Sequence, residues 1–432
     1  MGIPFYFASI VKSHKGITRP IKHRTDVDVL GVDFNCLIHR YLKEDDPIKS
    51  VVDAFDHIIQ EICRPKHLLI AMDGVVPYAK IVQQRYRRMR ANETVSSFDR
   101  NQISPGTPYM KDLEKALVER FPYAIISGTN EEGEGEHKLF HMIRKLPEHE
   151  RNNVCIYGLD ADLILICLQH MNVSKIMSLL RESGEFNDPK LETAEFSSLS
   201  IQALHKELPI HVDQYIALSV MCFGNDFMPN LAIFSLREGG YERALEIYEK
   251  AGKPDLLTFD GRDCFLDVAE RQELSTIKER INLRRRPEEK AIWGRDGSSF
   301  EKMYRLHILD GVENIEPVVR AYWITFHWTI HYFRTNEVLN WNWVYPYPEA
   351  PLIRDILKYT ETECEKKERT FGIKEQLQFI LPAKSLRTAK KLVKFPDETY
   401  KETRHPWMKR HDWEMDPRVS LPWSNLTEIY PV

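Results

Sequence analysis

The chain has no C-x-x-C pair, and its seven cysteines are an odd number spread along 432 residues. That argues against a zinc ribbon and against a disulfide framework. Several cysteines sit inside apolar runs and read as small core residues. No apolar stretch is long enough to span a bilayer, and the N-terminus shows no signal-peptide pattern. Tyr6 stands where a myristoylation signal needs Ser or Thr. The sequons at Asn92, Asn172 and Asn425 then read as chance. A reducing intracellular home is expected, cytoplasmic with the nucleus as the alternative. Excess positive charge is also missing. Lys and Arg number 60 against 64 Asp and Glu, a net charge of −4. A uniformly basic nucleic-acid coat is excluded, so any such contact must come from local patches. G-x-S-x-G, Walker A and Rossmann glycine patterns are absent, as are internal repeats.

What is present is a chain with 43% hydrophobic residues, enough for two or three domains or one large catalytic core. Its most informative feature is a set of carboxylates in unusual settings. Asp33 ends VDVLGVD, Asp73 ends HLLIAMD, Glu134 and Glu136 lie in GEGEHK, Asp160 and Asp162 in YGLDADL, and Asp226 in FGNDF. A lone Asp after a strand is commonly a helix cap or a turn residue. Seven acids, two pairs of them at a spacing of two, weaken that reading. Two like charges about 4 Å apart repel by roughly 4 kcal/mol at an effective dielectric near 20. Acids gathered at one sheet edge therefore require a divalent cation, and all-oxygen donors suit Mg²⁺ or Mn²⁺ rather than zinc.

The first part alternates strand-like and helix-like patterns. Strands are expected at Val27–Asp33, His67–Asp73, Tyr123–Ser127, Val154–Gly158 and Lys175–Leu180. Helices are expected over Ile48–Cys63, Ala79–Ala91, Tyr109–Arg120, Glu136–Lys145, Ala161–His170 and Val212–Cys222. That order predicts βαβ units in a mainly parallel sheet with helices on both faces, and ligands beyond the strands' carboxyl ends. Asp33, Asp73 and Asp160 fall at those ends. Ser183–Ser200 reads as a polar loop. From about Asp255 the character changes. A charge-dense stretch carries Arg284, Arg285 and Arg286, an aromatic helix runs over Val318–Phe333, and the tail from Leu381 is rich in Lys, Arg, Pro and Trp.

Lys80, Gln84, Arg87 and Arg88 share one face of a helix that starts six residues past Asp73, placed to hold a phosphate beside the acids. Taken alone, such a face would be a solvated surface. His137 and His141 have the i, i+4 spacing of a helical zinc pair but lack H-E-x-x-H. His39, six residues after Asp33, is placed to stack on a base. Trp341 and Trp343 alternate in a Tyr/Pro-rich segment, where aromatics ordinarily fill cores and can also form a stacking platform.

Together MGIPFYFASIV, VDFNCLIH, AMDGVVPYAKIVQQRYRRMR, ISPGTPYM, GEGEHK, YGLDADL, FGNDFMP and WNWVYPYPEAP resemble the XRN family of 5′→3′ exoribonucleases over nearly the whole chain. The resemblance implies a PIN/flap-endonuclease-like α/β core wrapped by a second, mostly helical region, here residues 1–250 and 251–432. It implies that Asp33, Asp73, Glu134, Glu136, Asp160, Asp162 and Asp226 hold two Mg²⁺ ions, with Mn²⁺ able to substitute. It assigns Lys80, Gln84, Arg87 and Arg88 to a 5′-monophosphate pocket and His39 to stacking on the terminal base. Trp341 or Trp343 becomes the stacking partner. The implied substrate is single-stranded RNA with a 5′-monophosphate. No membrane and no protein partner is indicated. Cellular members are longer, and NEE precedes GEGEHK where members commonly carry a Pro. The competing readings are a structure-specific DNA nuclease of the flap-endonuclease type and a catalytically inactive RNA-binding scaffold.

Overall fold

The computed structural model describes residues 2–381 apart from 43, 92–98, 187–190, 192, 284–299, 308, 310 and 348, and only the backbone of 86–91, 280–283 and 307. Seven strands form one sheet: β1 (Thr18–Pro20), β2 (Thr25–Asp33), β3 (Cys63–Ala71), β4 (Ile125–Ser127), β5 (Asn153–Tyr157), β6 (Ile176–Glu182) and β7 (Phe196–Ser200), in the order β1-β7-β6-β5-β2-β3-β4. The five strands from β4 to β6 are parallel, while β7 and β1 add an antiparallel edge. The sheet's middle is apolar on both faces, as parallel strands with helices above and below require. Val29, Leu30 and Val32 of β2 are fully buried, and so are Leu69 and Ile70 of β3.

The helices are α1 (Tyr6–Ser13), α2 (Phe34–Ile38), α3 (Pro47–His57), α4 (Tyr78–Ala91), α5 (Pro108–Arg120), α6 (Gly135–Lys145), α7 (Leu163–Gln169), α8 (Ile201–Glu207), α9 (Val212–Phe223), α10 (Gly240–Lys250), α11 (Phe259–Leu283), α12 (Phe300–His307), α13 (Glu316–Thr335), α14 (Ile353–Ile356) and α15 (Ile373–Ile380). One apolar cluster lies on one face and runs from α1, α6, α7 and α9 into α11 and α13, so the late helical region shares a core with the sheet. A second cluster, built on Phe34, Phe55, Leu113 and Phe121, covers the other face. The mainly parallel α/β sheet with a mostly helical second region is thus the observed architecture.

Two sequence expectations fail locally. Ser183–Ser200 is not all loop, because Phe196–Ser200 is strand β7, paired with β6 and β1. Serines favour turns, yet these are short enough to pack at an edge and satisfy their own hydroxyls, Ser183 with Ser197 at 2.8 Å. The β3 strand begins at Cys63, four residues earlier than expected, and contains Pro65. Pro65 sits opposite Val27 in the part of β3 that β4 does not cover, since β4 pairs only at Leu69–Ala71, so the proline lies where β3 has a strand on one side alone. The expected charge-dense run at Arg284–Arg286 and the tail beyond Leu381 lie outside the described residues. Among the described residues no helix is long and apolar enough to cross a membrane.

Candidate active site

The chain runs from β2 to β3 and β4 on one side, then crosses back to β5 and β6 on the other. The two directions part between β2 and β5, which pair as Val32↔Tyr157. A crevice at such a switch point, beyond the carboxyl ends, is where α/β sheets place their ligands. Asp33 is the last residue of β2, Asp73 follows β3, and Asp160 and Asp162 follow β5. Glu134 is the N-cap of α6 and Glu136 lies in its first turn. Asp226 comes from the turn after α9.

Each of the seven feels the charge of at least one other. Burial and the charges of Asp73 and Asp160 push the Asp33 carboxyl up to about 8. Burial, Asp160 and Asp226 push Asp162 up to about 7. Glu136 rises far above the ordinary range through burial, Asp162 and Glu134. Glu134 is raised by burial, against the pull of Lys80. Burial is the largest cause of each shift, and the neighbouring carboxylates add to it.

Lys80 answers two of them directly. Lys80, buried in the first turns of α4, puts its Nζ 2.5 Å from Glu134 Oε2 and 3.0 Å from Asp226 Oδ2. The site is further braced by groups that no motif announced. The Tyr332 hydroxyl of α13 donates to Glu134 Oε1 at 2.9 Å. The Cys36 thiol donates to Asp33 Oδ2 at 2.9 Å, and the Gly135 amide to Asp73 Oδ1 at 2.8 Å. A Cβ at Gly135 would lie 2.6 Å from Asp33 Oδ1 and 3.2 Å from the Ala71 carbonyl oxygen, so glycine lets α6 begin close against Asp33. Buried Arg181 donates to the Asp160 carbonyl at 2.8 Å. The signal for Cys36 was present, three residues after Asp33 on the short helix that Asp33 opens. Tyr332 lies 198 residues from Glu134 and left no local trace.

Among the described residues no three His, Cys, Asp or Glu side chains are already gathered closely enough to hold a metal ion. Lys80 occupies that role between Glu134 and Asp226. The donor set nevertheless fits a divalent cation. Asp33 Oδ1, Glu136 Oε2 and Asp162 Oδ1 are buried with no hydrogen-bond partner, and hard oxygen donors of this kind favour Mg²⁺-like ions.

The remaining candidates divide. Gln84 lies half-buried on α4 beyond Lys80, whereas the side chains of Arg87 and Arg88 are outside the described residues. His39 is exposed at the end of α2, the helix that Asp33 opens. The Trp341 carbonyl accepts from the Tyr78 amide at 2.9 Å, which ties it to the start of α4, and Arg369 lies 5.7 Å from its ring. Trp343 is committed elsewhere, its indole N–H donating to Thr325 Oγ1 at 2.9 Å. His137 stacks on Tyr332 at 3.7 Å and contacts Asn336 at 2.9 Å, while His141 Nε2 meets the Asn336 carbonyl at 3.2 Å. The histidine pair thus secures the end of α13.

The fold and this centre define a class: an α/β protein with buried carboxylates clustered at the carboxyl edge of a mainly parallel sheet. Residues 1–183 match the family model described as the XRN 5'-3' exonuclease N-terminus, and residues 298–394 the Xrn1 helical domain. The chain belongs to this XRN exonuclease family. The 5'-3' exoribonuclease 1 of Saccharomyces cerevisiae is 30% identical over 329 residues, covering 60% of this chain and 21% of that protein. The human 5'-3' exoribonuclease 1 is 24% identical over 528 aligned residues, covering 89% and 31%. The 5'-3' exoribonuclease 2 of Eremothecium gossypii is 28% identical over 372, covering 61% and 39%. The chain therefore spans between 21% and 39% of the length of these curated relatives. Among solved structures, the catalytic core of Rad2 in complex with DNA substrate aligns with a TM-score of 0.39 and 14% identity over 78% of this chain and 89% of that one, too distant to bear on chemistry.

Proposed function

We propose that this chain is a divalent-metal-dependent 5′→3′ exoribonuclease that removes nucleoside 5′-monophosphates from 5′-monophosphorylated single-stranded RNA. The observation that carries the reading is the convergence of seven carboxylates on the switch point of the sheet, three of them with unpartnered buried oxygens. Family membership and the names of the relatives support the RNA assignment and the direction.

In this reading Asp33, Glu136 and Asp162 supply open oxygens to the metal. Asp73, Glu134, Asp160 and Asp226 complete the donor set, in a pair of Mg²⁺ sites that Mn²⁺ could also fill. The bound metal supplies an activated water and charge for the departing 3′ oxygen. The chain's own groups do the rest. Tyr332 fixes the rotamer of Glu134, Cys36 and Gly135 fix Asp33 and Asp73, and Lys80 offsets charge until phosphate enters. Lys80, Gln84, Arg87 and Arg88 receive the 5′-phosphate, and a capped end is excluded by size. His39 and Trp341 stack on the terminal base, Trp341 being preferred over Trp343 because it is tied to α4. Residues 1–250 then form the nuclease unit and 251–432 its helical cover, acting in the cytoplasm or nucleus.

The test is degradation of 5′-phosphate, 5′-hydroxyl and capped RNA beside a flapped DNA duplex, with Mg²⁺ and with EDTA. Stepwise loss of the 5′-phosphate RNA alone, abolished by EDTA, is expected. Internal cutting of the flap would favour the DNA-nuclease alternative, and no cutting at all the inactive scaffold.

A further inference from the structure

Phe5 sits in a position that the fold would not choose for a passive aromatic. Its φ is +64°, in the left-handed region that a bulky side chain adopts only under constraint. It is 48% exposed, so it contributes little to the core. Its neighbours hold it there. Tyr6 is fully buried, its hydroxyl 2.7 Å from that of Tyr215, and Phe7 lies under the Arg181 guanidinium at 4.1 Å. With both following rings turned inward, the Phe5 ring faces out. The Arg237 guanidinium, from the turn after Phe234, lies over that ring at 4.4 Å.

The pair stands close to the acids. Gly2 is packed so tightly on Asp162 that an added Cβ would lie 2.0 Å from Asp162 Oδ1. Phe5 is three positions along the chain from Gly2, a reach of at most about 11 Å. From this placement we infer that Phe5 and Arg237 form a stacking platform for one nucleobase of the RNA strand, beside the carboxylate centre and separate from His39 and Trp341. An aromatic face and a guanidinium plane are the two surfaces on which unpaired bases stack. The sequence-tolerant character of stacking suits an enzyme that must accept every base. The strain at Phe5 is then retained because the ring is used, and Arg237 adds charge toward the adjoining phosphate.

The inference rests on the exoribonuclease reading. The test is fluorescence anisotropy in EDTA with a 3′-labelled, 5′-monophosphorylated oligouridine. A companion set carries a single abasic residue at each of the first four positions. Wild type should lose affinity most at one position beyond the terminal base, about five- to a hundredfold for one lost stack. Phe5→Ala should lose as much on the intact oligomer and become indifferent to that abasic residue. Phe5→Trp should restore both affinity and position dependence, and Arg237→Ala should weaken binding at the same position. Phe5→Ala binding like wild type, or weakened equally on every oligomer, would overturn the platform. Wild type that binds no RNA would instead bring down the exoribonuclease reading, a separable outcome.

Discussion

The Tyr332 hydroxyl and the Glu134 carboxylate are joined by a 2.9 Å hydrogen bond although 198 residues lie between them. Through it α13 fixes an acid that belongs to α6. The contact is buried on both sides, and the Tyr332 ring is also stacked on His137. Orientation of the centre is therefore shared between the sheet and the late helical region.

Tyr332→Phe keeps the ring and removes the donor. A hydrogen bond to a charged group contributes about 1.5–3 kcal/mol, so the variant should lose roughly that much unfolding free energy in a denaturant titration. It should also need more Mg²⁺ for half-maximal cleavage, because Glu134 is no longer held in one rotamer. Equal Mg²⁺ dependence in the two proteins would show that the tyrosine is structural only.

Lys80 offers a sharper case. Its ammonium is buried between Glu134 and Asp226 at 2.5 and 3.0 Å. Removing one partner of a buried ion pair costs about 3–5 kcal/mol, since the charge left behind has no counter-ion. Lys80→Met should therefore be strongly destabilised in EDTA, and Mg²⁺ should raise its melting temperature by more than it raises the wild type's. Equal metal responses in thermal melts would remove Lys80 from the role of internal cation.

Asp162→Asn tests the centre itself. The carboxyl is buried, has an oxygen without a partner, and feels Asp160 and Asp226. An amide of the same shape relieves repulsion, so in EDTA its melting temperature should equal or exceed that of wild type. RNA cleavage should fall below detection because a metal-facing oxygen is lost. Retained cleavage in Mg²⁺ would refute the assignment.

Much of this was legible in the chain. Apolar runs announced β2, β3, β5 and β6, and the acids that follow the first three pointed to the candidate site by their number and paired spacing, since a lone Asp after a strand is commonly only a cap or turn residue. The serine-rich β7 was not legible, since its pairing comes from the sheet edge and not from its own propensity. Nor were Tyr332 on Glu134 and Arg181 on the Asp160 carbonyl, which are tertiary contacts with no spacing rule. Lys80 was assigned to the phosphate-binding face by helical period, which says where a side chain points but not that two acids from elsewhere will meet it.

A last expectation concerns pH, at a site remote from the acids. Glu273 of α11 is fully buried and accepts from the Ile353 amide at 2.7 Å and the Arg354 amide at 3.3 Å, capping α14. Burial outweighs those bonds and pushes its carboxyl from the usual 4.5 up to about 7. The folded state thus holds the proton more tightly than the unfolded state does. Stability from this group is complete below about 4.5 and is lost as pH rises through about 7, by roughly 3 kcal/mol at most. Glu273→Gln cannot ionise, although it gives up one acceptor oxygen. Its stability relative to wild type should therefore climb steadily between pH 4.5 and 7.5 in urea melts, while contributions from the acid centre cancel in the difference. A flat difference across that range would mean that Glu273 titrates normally and that its cavity is wet.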